Sequence, residues 1–412
     1  MLHQQPQSFR ARWVFPVDQP PIHNGVVETY AGKISQVRAY QNGEAVIDLG
    51  EVALLPGLVN AHTHLEFSGI SLPLGNVGLD FPSWIRKVIA YRRERETESP
   101  ADGSWRTAEI EAGLHQSQIA AVSLLGEIVT IPCPLAAYRA CGQPITLFLE
   151  LLGMLPERME ALWQIAQAHI AQQASLPAHC RVGLSPHAPY TVHPELLRRV
   201  CQLSQEIAFP VAMHLAESIG EMELLQSGSG GLATLLAELN ALPHGVLPRG
   251  VRPLDYLEML AVASRSLIIH GNFLAADEIT YLGERSERMS VVYCPRTHAY
   301  FCGGDYPLAK MLAANVNVCL GTDSRASNPD LRLWAEMKFV AKRHPQVTLA
   351  GVLHIGTLSG AEALGLAADF GSITPGKQAH FALIPITSNR ASEPRYLRLH
   401  LLLRRRCHLK NQ

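Results

Sequence analysis

Two imidazoles one residue apart, His62-Thr63-His64, stand directly after the apolar run Leu58–Ala61. In an extended chain side chains alternate, so both rings fall on one face and reach one ion at about 2.0–2.1 Å, with Thr63 pointing away. Other short apolar runs end in the same way: His187 follows Leu184, His214 and Glu217 follow Met213, His270 follows Ile269, His298 follows Tyr293 and Asp323 follows Leu320. His62, His64, His214 and Asp323 supply three neutral nitrogens and one carboxylate, a set suited to Zn2+ and tolerable for Fe2+ or Mn2+, with one position left for water. A divalent ion lowers the pKa of bound water from about 15.7 to about 7, which provides hydroxide at neutral pH without a protein nucleophile. Glu217, three residues beyond His214, is placed to take that proton and pass it to a substrate nitrogen. The plainer alternatives are a surface glutamate at Glu217, a hydrogen-bonded core histidine at His270, and loop-capping roles for His187 and His298.

Groups from so many places in the chain need a scaffold that gathers them. The apolar runs Leu58–Ala61, Ala121–Leu125, Thr146–Leu151, Arg181–Leu184, Pro210–Met213, Ser266–Ile269, Ser290–Tyr293 and Val316–Leu320 number eight, the strand count of a (β/α)8 TIM barrel. Between them lie stretches of helical period, among them Pro82–Glu96, Glu157–Gln173, Pro194–Glu206, Met222–Glu238, Pro307–Ala314 and Asp330–Arg343. In such barrels the reacting groups sit at the C-terminal ends of the strands, where these residues fall. Ahead of Pro56 the chain alternates apolar and polar residues over Arg12–Phe15, Val26–Tyr30, Ile34–Tyr40 and Ala45–Leu49, and a β pattern returns after Leu366 with Ala379–Ile384. The expected organisation is an α/β protein: a barrel over 56–365 and a small composite β-sandwich built from 1–55 and 366–412.

Composition narrows the partners. With 35 Lys plus Arg against 36 Asp plus Glu, the net charge is −1, and no clustered excess of cations is present to bind nucleic acid. Arg404-Arg405-Arg406 is the one basic run and reads as a solvated terminal segment. No apolar stretch reaches a membrane span and the first residues lack the form of a signal peptide, so the expected location is the cytoplasm. The eight cysteines show no C-x-x-C spacing and read as buried free thiols. Charged residues are only 17% of the chain, which favours a homo-oligomer, a dimer in the simplest case. In the loop after the first barrel strand, Glu66 is a candidate for binding an amidine-like ring and Trp84 for stacking on a planar heterocycle, the alternative for Trp84 being a core anchor. Two partial motifs fail. His64-Leu65-Glu66 fits the H-x-E of another deaminase fold without its downstream P-C-x-x-C, and Gly228–Ala233 fits a dinucleotide G-x-G-x-x-A without a preceding strand.

Pro56-Gly57-Leu58-Val59-Asn60-Ala61-His62-Thr63-His64, Met213-His214-Leu215-Ala216-Glu217, Ile269-His270-Gly271, Leu320-Gly321-Thr322-Asp323 and Ser185-Pro186-His187-Ala188-Pro189-Tyr190 resemble the amidohydrolase superfamily, in its cytosine deaminase, S-adenosylhomocysteine deaminase and triazine chlorohydrolase branch. The resemblance implies one metal held by His62, His64, His214 and Asp323. It makes Glu217 the proton shuttle, has His270 hydrogen-bond the attacking water or the substrate, and places His187 in the substrate pocket. No lysine stands where binuclear members carry their carboxylated bridge. The chain departs from the branch after the seventh strand, where Arg296 and His298 are candidates to contact a phosphate, carboxylate or ring acceptor, with a structural arginine as the alternative. It departs again at His380. The expected function is metal-dependent deamination of an amino-substituted heterocycle, a purine, pterin, pyrimidine or nucleoside-like small molecule, with release of ammonia. Hydrolysis of a ring amide C–N or C–Cl bond at the same site is the alternative, and a non-catalytic binding protein stands behind both. Glu150, after the third strand, belongs with the residues that choose among leaving groups, unless it is a structurally paired interior charge.

Overall fold

The computed structural model describes residues 5–98, 104–241, 249–301 and 304–386. Five strands open the chain: β1 (Gln7–Val14), β2 (Ile22–Tyr30), β3 (Lys33–Ala39), β4 (Ile47–Asp48) and β5 (Val52–Pro56). Alternation along β1 buries Phe9 and Ala11, as a sheet with one covered face requires, and Val14, out of that period at the strand end, is buried as well. β1 pairs antiparallel with β2, from Gln7↔Thr29 to Val14↔Ile22, and β2 pairs on with β3. The other edge of β1 meets β4 at Phe9 and β5 at Trp13, both in parallel.

The barrel follows as β6 (Leu58–Thr63), β7 (Val122–Val129), β8 (Ile145–Leu151), β9 (Cys180–Pro186), β10 (Pro210–Leu215), β11 (Arg265–His270), β12 (Met289–Tyr293) and β13 (Asn317–Leu320). Each strand lies parallel to the next in chain order, and each of the eight apolar runs read from the sequence overlies one of them. Their residues are apolar without alternation because helices cover the outer face and the barrel core the inner one. The ring closes between β6 and β13 by a seam rather than a ladder. Thr63 and Asp323 form a single bridge, and the backbone N–H groups of Thr322 and Asp323 both donate to the His62 carbonyl at 3.1 Å. The Asn60 amide donates to Thr322 Oγ1 at 2.8 Å and accepts from the Thr322 N–H at 3.0 Å. Gly321 permits this approach, since a Cβ there would stand 2.9 Å from His62 Cβ and 3.0 Å from His62 O.

After the last helices β14 (Phe381–Pro385) pairs antiparallel with β5, so both ends of the described chain share one sheet. Just before β14, Lys377 O accepts from Ile34 N at 2.8 Å and Ala379 N donates to Gly32 O at 2.9 Å. One segment thereby bonds both edges of the six-stranded sheet around a small core of Ala11, Val14, Val27, Ile34, Leu54 and Ile373.

One expected helix is divided: Met222–Glu238 is two helices, Ile219–Ser227 and Gly231–Glu238. Gly228 and Gly230 between them take φ of 69° and 99°, values that end a right-handed helix and that glycine adopts without steric cost. Among the described residues no helix is long and apolar enough to cross a membrane. The run Arg404-Arg405-Arg406 and the rest of 387–412 lie outside the described residues.

Candidate active site

His62 ends β6 with Thr63, and His64 follows it; His214 lies in β10 and Asp323 three residues past β13. All four are buried. His62 Nε2 and His64 Nε2 stand 3.6 and 3.7 Å from Asp323 Oδ1, and the His62 ring centroid lies 4.8 Å from that of His64 and 4.9 Å from that of His214. Thr63 faces the seam and donates its hydroxyl to Asp323 O at 3.2 Å. Both ring nitrogens of His62 and the Nδ1 atoms of His64 and His214 are buried without a hydrogen-bond partner. So many buried imidazole nitrogens without partners around one carboxylate are costly in a protein interior, and an ion held by the Nε2 atoms that face Asp323 would offset part of that cost. Protonation states agree. Burial, then the neighbouring imidazoles, holds His64 and His214 far below the ordinary histidine value, in the neutral form that ligates metal. Burial pushes the Asp323 carboxyl up, but the His62, His270 and His64 imidazoles outweigh it and hold it well below the usual carboxylate range. The donor set fits one divalent cation.

The strand ends are strained in a way that serves this geometry. Ala216, His270 and Asp323 adopt φ of 54°, 71° and 57°, a region that residues with a Cβ rarely occupy. Specific hydrogen bonds hold each one. The Tyr306 hydroxyl donates to His270 O at 3.0 Å, Asp323 accepts from Ser324 N at 2.7 Å and Ser327 Oγ at 3.0 Å, and the Glu221 carboxylate accepts from Ala216 N at 2.9 Å and Glu217 N at 2.7 Å. Glu221 is a positioning residue that the sequence reading missed. Its signal was present, because Ser218-Ile219-Gly220-Glu221 has the S-x-x-E form of a helix N-terminal box. Glu217 Oε1 reaches within 3.3 Å of His270 Nε2. Burial, reinforced by Asp323 and Glu221, pushes the Glu217 carboxyl well up, while burial pushes His270 down to about 3. The pair is a carboxyl able to carry a proton beside an imidazole held neutral.

On the side of β6 to β9, Glu66 is engaged through both oxygens, by the Arg92 guanidinium on one and by Thr130 Oγ1 at 3.0 Å on the other. Arg92, on the helix Phe81–Glu98, carried no sequence signal beyond helical period. His187 follows β9 and stacks toward His214 at 5.0 Å between centroids. Trp84 is placed as the core-anchor alternative describes: the indole N–H donates to Ala326 O at 3.0 Å, and the half-buried ring stacks on Phe81 and meets the edge of Phe301. On the side of β12 and β13 the expectation for Arg296 is corrected. Its guanidinium is bound to Glu336 at 2.6 Å and to Asp330 at 2.8 Å, which leaves no free fork for a substrate anion. His298 packs its ring on Tyr293 and Tyr306, with Nε2 3.3 Å from Gly304 O, one layer behind His270.

A closed parallel barrel with a metal-capable cluster of histidines and a carboxylate at the C-terminal ends of its strands defines a metal-dependent hydrolase. The sequence profile of the Amidohydrolase family matches residues 53–396, and the chain belongs to that family. A 5-methylthioadenosine/S-adenosylhomocysteine deaminase of Moorella thermoacetica is 29% identical, with 94% of this chain and 88% of the relative covered. An aminodeoxyfutalosine deaminase of Deinococcus radiodurans is 27% identical over 81% of this chain and 78% of the relative. Among solved structures, a zinc-bound adenosine deaminase of Xanthomonas campestris shares the fold with a TM-score of 0.73 at 23% identity, over 96% of this chain and 87% of that one.

Proposed function

We propose that this protein is an aminohydrolase that converts an amino-substituted, nucleoside-like heterocycle into its oxo form with release of ammonia. The observation that carries the reading is the Glu217–His270 pair set against the orphaned imidazoles of His62, His64 and His214 and the carboxylate of Asp323. Those three histidines and Asp323 would hold one cation, for which zinc is our choice, supported by the donor set and by the zinc-bound neighbour. When bound, the cation supplies Lewis acidity that makes water nucleophilic at neutral pH. Glu217 takes a proton from the attacking water and delivers it to the ring nitrogen next to the reacting carbon. The C–O bond forms, the second proton of the attacking water passes through the same carboxyl to the exocyclic amino group, the C–N bond breaks, and ammonia leaves behind the oxo carbon. His270 orients the attacking oxygen, and His187 lines the pocket.

The reading also takes 56–365 as the catalytic unit, with 1–55 and 366–412 as the composite domain. A cytoplasmic homodimer completes it, supported by the low charged fraction and by free cysteines suited to a reducing compartment.

The test is ammonia release by metal-replete protein from a panel of adenosine derivatives, pterins, aminopyrimidines and a chlorotriazine. Asp323→Asn should lose metal and turnover together. Glu217→Gln should keep metal and lose at least about 100-fold in kcat. Chloride release or ring opening without ammonia from any member would replace this reading by the corresponding hydrolysis.

A further inference from the structure

Glu150 has no part in that chemistry, yet it stands beside it. It is the last-but-one residue of β8, 4% exposed, and paired in register with Ser185 of β9. Among the described residues its only ion-pair neighbour is His187, whose Nε2 lies 3.9 Å from Oε1, too far for a shared proton. Arg92, the nearest source of positive charge named in the pocket, is drawn to Glu66 instead. A buried carboxylate without a donor is costly in proportion to its burial, and the cost is removed only by whatever supplies one.

His187 is oriented to act with it. The Thr191 hydroxyl lies 2.7 Å from His187 Nδ1 and 3.2 Å from Ala188 O, and when its single proton goes to the carbonyl its oxygen accepts from Nδ1–H. In that tautomer the neutral ring presents a bare lone pair at Nε2. Two acceptors, Glu150 Oε1 and His187 Nε2, face one space, and their ligand atoms lie with one of His214 within 4.8 Å of one another. A second cation among these three is disfavoured, because a neutral His214 has one lone pair and directs it to the first.

We propose that Glu150 and His187 form an acceptor pair that reads two adjacent hydrogen-bond donors on the substrate, and that this pair sets which heterocycle the site accepts. The inference rests on the deaminase reading for the seat of the substrate. Two sources share the required chemistry: the vicinal hydroxyls of a ribose, and the adjacent N–H donors of a ring edge such as N1–H and the 2-amino group of guanine. A site built to receive donors rejects analogues that lack them, because its own polar atoms are then left bare.

The experiment measures equilibrium binding on metal-replete protein for adenosine against its 2′-deoxy and 3′-deoxy forms, with kcat/KM for the members that turn over, and for guanine against hypoxanthine. Wild type should favour the donor-bearing member of one set by about 10- to 100-fold, and the set that responds identifies the source. Glu150→Gln, checked for unchanged metal content, should erase that preference. Thr191→Val, which frees the His187 tautomer, should weaken it and serves if the first variant does not fold. Equal binding within both sets, no binding at all, or an undiminished preference in both variants overturns the proposal. Binding is read without turnover, so absence of ammonia release counts against the proposed function alone.

Discussion

Two arginine–carboxylate clusters flank the metal-capable centre, one toward the pocket and one behind β13, and they differ in how completely they are satisfied. Behind the strand, Glu336 accepts from Arg296 Nε at 2.6 Å, from Arg296 N at 3.0 Å and from Asn328 Nδ2 at 2.7 Å, while Asn328 also donates to Thr322 O at 2.6 Å. That network ends on the residue before Asp323. Toward the pocket, Arg92 holds Glu66 and Arg106 Nε stands 3.6 Å from its other oxygen, but Arg92 Nε is buried without a hydrogen bond, and among the described residues Glu150 has no donor. Burial pushes the Glu150 carboxyl up to about 7, with Arg92 opposing, whereas Glu336, also pushed up by burial, is opposed by Arg296 and by hydrogen bonds from both Asn328 and Arg296. The closed network fixes the loop that carries Asp323, and the open one leaves polar atoms free toward the pocket.

The contrast can be broken most forcefully at its closed end. Glu336→Ala leaves Arg296 buried without its main partner and should cost about 3–5 kcal/mol in urea unfolding of metal-replete protein. A loss below about 1 kcal/mol would mean that the cluster does not anchor the Asp323 loop. Glu66→Ala should cost less, about 1–2 kcal/mol, because the Arg92 side chain is 29% exposed and water can take over. Substrate affinity in that variant should fall further than stability does, and the reverse ranking would make the pocket cluster structural. The smallest effect belongs to Asp330. Burial pushes its carboxyl up, but Arg332 and Arg296 outweigh that and set it below its ordinary 3.8. Its contribution is therefore present above pH 3.8 and lost as pH falls below it. Asp330→Asn removes that contribution, so it should lower Tm modestly at neutral pH and flatten its fall at the acid end, where variant and wild type converge.

The barrel was legible because its strands are apolar without interruption and its reacting residues follow them directly. Spacing alone brought together His62, His64, His214, Glu217, His270 and Asp323 from four strand ends. What stayed hidden depends on helices meeting loops far away in sequence. Arg296 sits where a pocket residue belongs, and only Glu336, 40 residues on, turns it aside. Arg92 reaches Glu66 from a helix whose period shows which face is buried but not which side chain bends around its end. Glu127 was visible only as a charge inside an apolar strand; it accepts from the Leu65 N–H at 3.0 Å and from the Tyr138 hydroxyl at 2.9 Å, and so pins the residue after His64.

The barrel seam has a consequence for the whole ring. Six junctions between strands are ladders of several pairs and β9 meets β10 at Val211↔Leu184, whereas the junction of β13 with β6 consists of one bridge outside the ladders, the His62 carbonyl and the side chain of Asn60. His62 and His64 stand on one side of it and Asp323 on the other, so a cation shared by them is a rivet through the joint, tying residues some 260 positions apart. Binding of the ion is then also closure of the barrel, and its free energy counts toward folding. Removal of the metal should loosen the molecule first along this line, with amide hydrogen exchange of Thr322 and Asp323 quickening before that of β8 or β9.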